Sequence, residues 1–285
     1  MKRFIILFLF LSLMSAKAQT QKVISSQWMA FSQAIDIKTP VKKRFRVIAS
    51  AKVESSEPKA WAGIFGRVFN SNNEEGFADN MHDRPIKSKE WQSYTVEGTI
   101  DANSERLVFG GVCELNGKFY FDKFQLFIEN EKGVFEPVTI LNSSFETLAT
   151  NTDIPKWNLG NAKQKNVKVK EFKISSDKSS VDGKYSLLLE GSGLEIKETG
   201  KIGNVEGASP KIGDMISMLE DLKDRVEYAV KNLDQYEIDY LHDNEANRIG
   251  ALVMHLVMQP KNTIRFLLLK TENLTKKKRK NGRLL

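Results

Sequence analysis

The stretch FRVIASAKV, from Phe45 to Val53, has side chains that alternate between two sets, one at every second position. Two sets result: Phe45, Val47, Ala49 and Ala51 on one face, and Arg46, Ile48 and Ser50 on the other. A period of two is typical of a β-strand that buries one face in a core. The stretch therefore predicts a strand, whose partners must lie in the neighbouring sequence.

Further strand-like segments lie on both sides of it, from Trp28 to Glu129. They are rich in aromatic and β-branched residues and read WAGIFGRVF, WQSYTVEGTI, RLVFGGVCEL and KFYFDKFQLFIE. NSNNEEG, DANSE and LNGK separate them and favour turns. Short strands spaced by turns predict an antiparallel β-sandwich or jelly roll. Cys113 lies inside one of these strands, so we expect a buried, inert thiol.

The opening MKRFIILFLFLSLMSAKAQ has the three parts of a secretory signal: a charged start, an apolar core and the cleavage motif Ala16-Lys17-Ala18. The apolar core is too short to span a bilayer. We therefore expect residues 1–18 to be a cleaved signal peptide, and the mature protein to be periplasmic or extracellular. No further apolar run of spanning length follows, so we expect no transmembrane segment.

The formal net charge of +7 is unevenly distributed. The signal contributes +3 and the segment 259–285 contributes +8, which leaves −4 for the rest of the chain. This mildly acidic remainder of the chain lacks the excess of positive charge that binds nucleic acid, so we expect no nucleic-acid partner.

The strands and loops AGIFGRVFN…GFADNMHDRPIKSKEWQSYTVEGTID…LVFGGVCELNGKFYFDKFQLFIE resemble the galactose-binding-like jelly rolls, which are related to carbohydrate-binding modules. The resemblance implies a glycan or another polar small ligand, held by exposed aromatic side chains and by polar loops. The candidates it implies are Trp61, Trp91, Tyr94, Asp79, Asp83 and Arg84.

Both groups of candidates have a second interpretation. An aromatic residue in a strand of a small sandwich is often part of the core. For the loop acids and Arg84 we favour a structural Asp–Arg ion pair that holds their loop. No nucleophile or glycine elbow accompanies them, so we predict no catalytic residues here.

The segment 141–191 resembles the first half of the same jelly-roll family, through NSSFE, Pro155 and Trp157, and DGKYSLLLE. In the family this half precedes the region found here at 28–129. Two interpretations stay open: a circular permutation that completes one sandwich over 19–195, or a truncated second module. We favour the permutation, because a half-sandwich would leave its apolar face uncovered and its edges unpaired.

After GASPKIG the apolar period changes from two to about 3.6, which predicts a helix from Met215 to Leu233. A predicted loop, DQYEIDYLHDNEAN, leads to a second helix from about Ala246. The predicted fold class is thus mainly β, with a C-terminal α part over 210–258.

The segment from Met215 to Leu256 resembles the opening of the DinB-like four-helix bundles, with NRIGALVMHL as its sharpest element. Members of that family bind a divalent metal through three His residues, and the resemblance implies His255 as the first ligand. Zinc or nickel would suit an imidazole site. The remaining ligands would lie on later helices, so we expect an incomplete bundle and no cofactor in the chain as written.

The basic segment 259–285, which ends in KKKRKNGRLL, has three interpretations. Read one base earlier from Met258, its codons accommodate ATEKYYQ, which resembles the continuation of a DinB-like bundle. We therefore favour an out-of-frame product. A basic arm for anionic polymer or lipid, and an inert solvated run, are the alternatives.

Together these features predict an exported binding protein: a carbohydrate-binding-like sandwich joined to an incomplete, inactive DinB-like domain. The alternative is a metal-dependent DinB-like enzyme of the thiol-dependent transferase type, whose C-terminal half is missing from this chain.

Overall fold

The computed structural model describes residues 21–160, 166–195, 202–203 and 205–256. The predicted signal peptide and the basic segment 259–285 lie outside the described residues. The chain divides into two compact units, the first of which ends at Glu195. The first unit is built from strands and the second from helices.

Thirteen strands make up the described part of the first unit. In chain order they are β1 (Lys22–Ile24), β2 (Trp28–Asp36), β3 (Lys43–Glu54), β4 (Trp61–Asn70), β5 (Glu75–Asp79), β6 (Gln92–Ile100), β7 (Ser104–Glu114), β8 (Gly117–Glu129), β9 (Phe135–Val138), β10 (Asn158–Leu159), β11 (Val167–Val169), β12 (Phe172–Asp177) and β13 (Ser186–Gly191).

The strands form two antiparallel sheets and one short parallel pair. The five-stranded sheet has the order β10-β2-β7-β4-β5, and the six-stranded sheet has the order β12-β13-β8-β3-β6, with β9 paired to β8. The parallel pair joins β1 to β11. The predicted β-sandwich is confirmed, and the arrangement is compatible with a jelly roll.

The alternating side chains of β3 are buried on one face of the strand, as predicted from the sequence. Its first set of side chains is fully buried: Phe45, Val47, Ala49 and Ala51. In the other sheet, strand β7 buries Leu107 and Phe109 completely. Two apolar faces meeting in this way remove a large apolar area from water, which is the main stabilising contribution to such a sandwich. Cys113 is also fully buried, as predicted, and burial raises the pKa of its thiol well above the usual value.

An aromatic cluster fills the centre of the core. The ring of Phe31 contacts those of Phe121, Phe124, Phe145 and Trp157 edge to face, with centroids 5.1–5.8 Å apart. The indole N–H of Trp157 donates to the carbonyl oxygen of Asn142 at 3.1 Å, so its polar atom is satisfied. Two of these rings come from the segment 141–191.

That segment contributes strands to both sheets of the sandwich. β10 pairs with β2 in the five-stranded sheet. β13 pairs with β8 in the six-stranded sheet, and β12 pairs in turn with β13. Residues 141–191 therefore pack with the strands of 28–129 and share one core with them.

The second unit contains α1 (Pro210–Val230), α2 (Gln235–Asp239) and a helical segment at 249–256. The first and last agree with the predicted helices. α2 was not predicted, because it lies in the segment expected to be a loop. A capping box explains it: Asp234 accepts from the Glu237 amide at 2.9 Å, and Glu237 accepts from the Asp234 amide at 3.0 Å.

The helices of the described part do not include one long and apolar enough to cross a membrane. In α1 the apolar stripe is largely exposed, and it contains Ile212, Met215, Met218, Leu219 and Leu222.

Candidate functional site

A row of three large side chains crosses the outer face of the five-stranded sheet. Strand pairing places Trp28 of β2 opposite Glu114 of β7, and Trp61 of β4 opposite the same Glu114. The indole N–H of Trp61 donates to Oε2 of Glu114 at 2.7 Å. A carboxylate thus sits between two indoles, and one of its hydrogen bonds orients the Trp61 ring.

The next rows along the sheet carry small side chains. Ala30, Val112 and Gly63 are register partners, and Gly110 follows opposite Phe65. Because these positions lack bulk, a hollow remains between the flanking aromatic rings. The hollow is a cleft of about 220 Å³, here called the Trp28–Trp61 cleft. Its lining consists of Trp28, Ala30, Trp61, Phe65, Arg67, Asn80, His82, Val112 and Glu114.

The loop after β5 forms one rim of this cleft. Its backbone crosses β4 so closely that a Cβ on Gly63 would lie 2.5 Å from the carbonyl oxygen of Asn80. Glycine at 63 is therefore required for the approach. The His82 ring lies edge-on to Trp61, with centroids 5.4 Å apart. The loop thereby places the amide of Asn80 and the imidazole of His82 beside the Trp61 ring.

An ion pair fixes this rim. Arg84 donates to Asp79 from both terminal nitrogens, at 2.6 Å and 3.3 Å, and to Asp83 at 2.9 Å. The Met81 amide donates to Oδ1 of Asp79 at 2.8 Å, and Met81 is itself buried with a φ of 61°. The predicted Asp–Arg pair that holds the loop is confirmed.

The protonation of Asp79 follows from these contacts. Burial works to raise the pKa of its carboxyl, but hydrogen bonds from Arg84 and from the Met81 amide outweigh it and leave the pKa lowered. The carboxylate in turn raises the pKa of Arg84. The pair is therefore charged at neutral pH, and the rim keeps its shape.

The predicted ligand-binding residues fall into two groups in the structure. Trp61 lines the Trp28–Trp61 cleft, and Asp79, Asp83 and Arg84 support its rim. Tyr94 lies in β6 of the other sheet, and Trp91 directly precedes that strand. They are three positions apart, so their side chains leave opposite faces of the strand. The structure does not bring these two together, nor either of them to Trp61.

Each of those two side chains has local partners. The indole N–H of Trp91 donates to Oγ of Ser179 at 3.2 Å, and its ring meets Tyr120 edge to face. The Tyr94 hydroxyl donates to Oε1 of Gln92 at 3.2 Å. Burial raises the pKa of Tyr94, with a hydrogen bond from Ser88 opposing the shift.

The lining of the cleft includes residues that were not predicted from the sequence, among them Trp28, Phe65, Arg67, Asn80 and Glu114. A partial signal was present, because Trp61, Gly63, Phe65 and Arg67 alternate on one face of WAGIFGRVF. The positions of Trp28 and Glu114 depend on pairing between strands that are distant in sequence, which no local pattern reveals.

The predicted metal ligand His255 lies in the helical segment at 249–256 and is exposed. A group of three His, Cys, Asp or Glu side chains able to hold a metal is not found among the described residues. The described residues around His255 therefore do not fit a zinc or nickel centre.

Comparison of the chain with protein-family models and with curated proteins finds no match. The likeness to galactose-binding-like and DinB-like domains accordingly remains a prediction from sequence. The Trp28–Trp61 cleft is the feature of the described residues whose geometry suits a ligand.

Proposed function

We propose that the protein is an exported, non-catalytic binding protein that holds a carbohydrate in the Trp28–Trp61 cleft. The observation that carries this proposal is the row Trp28–Glu114–Trp61, in which a carboxylate lies between two indoles above a floor of small residues. The predicted signal peptide supports action in the periplasm or outside the cell.

A sugar matches both kinds of surface in the cleft. One face of a pyranose ring is made of C–H groups, and the indoles of Trp28 and Trp61 offer flat apolar surface to it. The hydroxyls at the ring edge need donors and acceptors. Glu114 accepts, Arg67 donates, and the Asn80 amide does both. A small number of polar groups placed among aromatic side chains is typical of sites that bind small ligands.

The size of the cleft limits what it holds. Its volume of about 220 Å³ lies below the ~300–1,000 Å³ common for drug-sized ligands. We therefore propose that the cleft takes one or two sugar units of a longer glycan. Binding loses little entropy to loop ordering, because the ion pair of Arg84 with Asp79 already holds the rim.

The test is a glycan array probed with the full chain, followed by calorimetry with the glycan that binds. Trp28→Ala should weaken binding roughly tenfold or more, because it removes one aromatic wall. Glu114→Gln should also weaken it while keeping an acceptor for the Trp61 indole.

The matched control is Phe135→Ala, which removes a half-buried aromatic ring from the six-stranded sheet. It should leave the affinity unchanged. Circular dichroism confirms that each variant is folded. The proposal is wrong if the full chain binds no glycan on the array. It is also wrong if the folded Trp28→Ala and Glu114→Gln variants both bind the glycan with the affinity of the original chain.

A further inference from the structure

A second depression lies on the outer face of the six-stranded sheet, where β6, β3 and β8 run side by side. Its volume is about 330 Å³, and Trp91 forms its aromatic wall. It is here called the Trp91 groove, and its polar lining consists of Ser50, Gln92, Ser93, Lys123 and Gln125. The groove belongs to the sheet opposite the Trp28–Trp61 cleft.

A bulge in β8 creates the groove. Ile48 of β3 pairs with Gln125, but Ser50 pairs with Asp122, so β8 carries an extra residue between these two pairs. Lys123 sits at this bulge with a φ of 53°, in the left-handed region. On the other edge of β8, pairing with β13 ends at Phe121 and pairing with β9 begins at Leu126. The sheet is thus interrupted beside the groove.

The buried carboxylate of Asp122 holds the bulge in place. It accepts from the amides of Lys123 at 2.7 Å, Val181 at 2.7 Å and Asp182 at 2.9 Å. These bonds tie the loop before β13 to the bulge, and Val181 forms part of the groove's border. The aromatic wall formed by Trp91 is also held in place. Its indole N–H donates a hydrogen bond to Ser179, and its ring packs edge-on to Tyr120. The groove is therefore preformed.

The chemistry of the lining selects for negative charge. Lys123 is the charged residue of the lining, and its ammonium group forms no ion pair with another described residue. The side chains of Ser50, Ser93, Gln92 and Gln125 all carry hydrogen-bond donors. The lining contains no carboxylate. An aromatic face beside a cation and several donors suits a ring that carries a carboxylate.

We propose that the Trp91 groove is a second carbohydrate site, selective for an acidic sugar residue such as a uronate. The sugar ring would lie on Trp91, with its carboxylate on Lys123. With the Trp28–Trp61 cleft on the other sheet, one molecule would then hold two glycan segments at once and bind a polymer with avidity. The acidic-sugar site itself rests on its own geometry and does not require the first cleft to bind.

The test compares tri-galacturonate with its methyl ester, by calorimetry on the full chain. In the ester each carboxylate becomes an uncharged methyl carboxylate on the same sugar backbone, so we expect roughly tenfold weaker binding for it. Lys123→Gln should weaken tri-galacturonate binding by a similar factor, and high salt should weaken it as well. Lys173→Gln is the matched control, since Lys173 is an exposed lysine on β12 of the same sheet. It should have no effect.

The proposal is overturned by equal affinity for the acid and its ester, by unchanged affinity in Lys123→Gln, or by no binding of either sugar. Because Lys123→Gln changes an exposed side chain, it avoids the folding risk of replacing Trp91. Inorganic phosphate is the competitor that separates a sugar site from a general anion site. Displacement of tri-galacturonate by phosphate at equal concentration would rule out the assignment to a sugar.

If the neutral glycan of the Trp28–Trp61 cleft is known, it should not displace tri-galacturonate. Displacement would show that the two sugars share one site, and it would contradict a separate site at the Trp91 groove. Failure of the first cleft to bind any neutral glycan would leave this result unaffected, so the two proposals fail independently.

Discussion

Asp79 holds the rim of the Trp28–Trp61 cleft through two different kinds of bond. Its carboxylate binds the Arg84 guanidinium across the loop and accepts the Met81 amide within it. The second bond supports a positive φ at Met81, a conformation that is costly for a residue other than glycine. One acidic residue thus sets the position of Asn80 and His82.

The lowered pKa of Asp79 predicts an acid-sensitive rim. A carboxyl whose pKa is lower in the folded protein stabilises the folded state above its ordinary pKa of 3.8. That contribution is lost as the pH falls through the lowered value. We expect the hydrogen-exchange protection of the Met81 amide to fall in this acidic range, before the sandwich itself unfolds.

Asp79→Asn is the control for this prediction, because its amide does not titrate. Its Met81 protection should be lower at neutral pH and should not change with acid over the same range. Protection in the original chain that stays constant down to the global acid transition would contradict the role given to Asp79.

The local sequence pattern predicted the strands but not which strands pair with one another. The alternation in β3 identified its buried face, because successive side chains of any strand point to opposite faces of the sheet. Trp61 was likewise recognisable as a candidate. Trp28 and Glu114 were not, because their meeting depends on the register of β2 and β7. The bulge at Lys123 is a similar case, since a bulge is defined by the neighbouring strand.

Gly63 connects strand geometry to the cleft and gives a direct test. In Gly63→Ala the new methyl group would meet the Asn80 carbonyl oxygen at 2.5 Å, so the rim must move away from β4. We expect a loss of roughly 1–3 kcal/mol in the free energy of unfolding, together with weaker glycan binding. Urea denaturation measures the first and calorimetry the second.

Gly76→Ala is the matched control on the adjacent strand β5. There the nearest atom to an added Cβ is a backbone oxygen at 3.9 Å, which is ordinary contact. Its stability should stay within about 0.5 kcal/mol of the original. A Gly63→Ala protein as stable as Gly76→Ala would show that the rim does not lie against β4.

The core of the sandwich contains residues from distant parts of the chain. Phe145, Trp157 and Phe172 all come from the segment 141–191, and each is almost completely buried. β13 also covers the edge of β8 from Gly117 to Phe121. The described strands of the first unit therefore share one core, although they occur in two stretches of sequence with different patterns.

This organisation predicts where the chain tolerates truncation. Residues 21–195 contain both sheets and the whole aromatic cluster, so we expect them to fold alone and to keep the full chain's glycan affinity. Residues 21–140 are the matched comparison. They lack the three aromatic residues and leave an edge of β8 unpaired, so we expect no cooperative thermal transition. Circular dichroism measures both fragments. If the shorter fragment melted cooperatively at the same temperature as the longer one, the segment 141–191 would be an appendage and not part of the core.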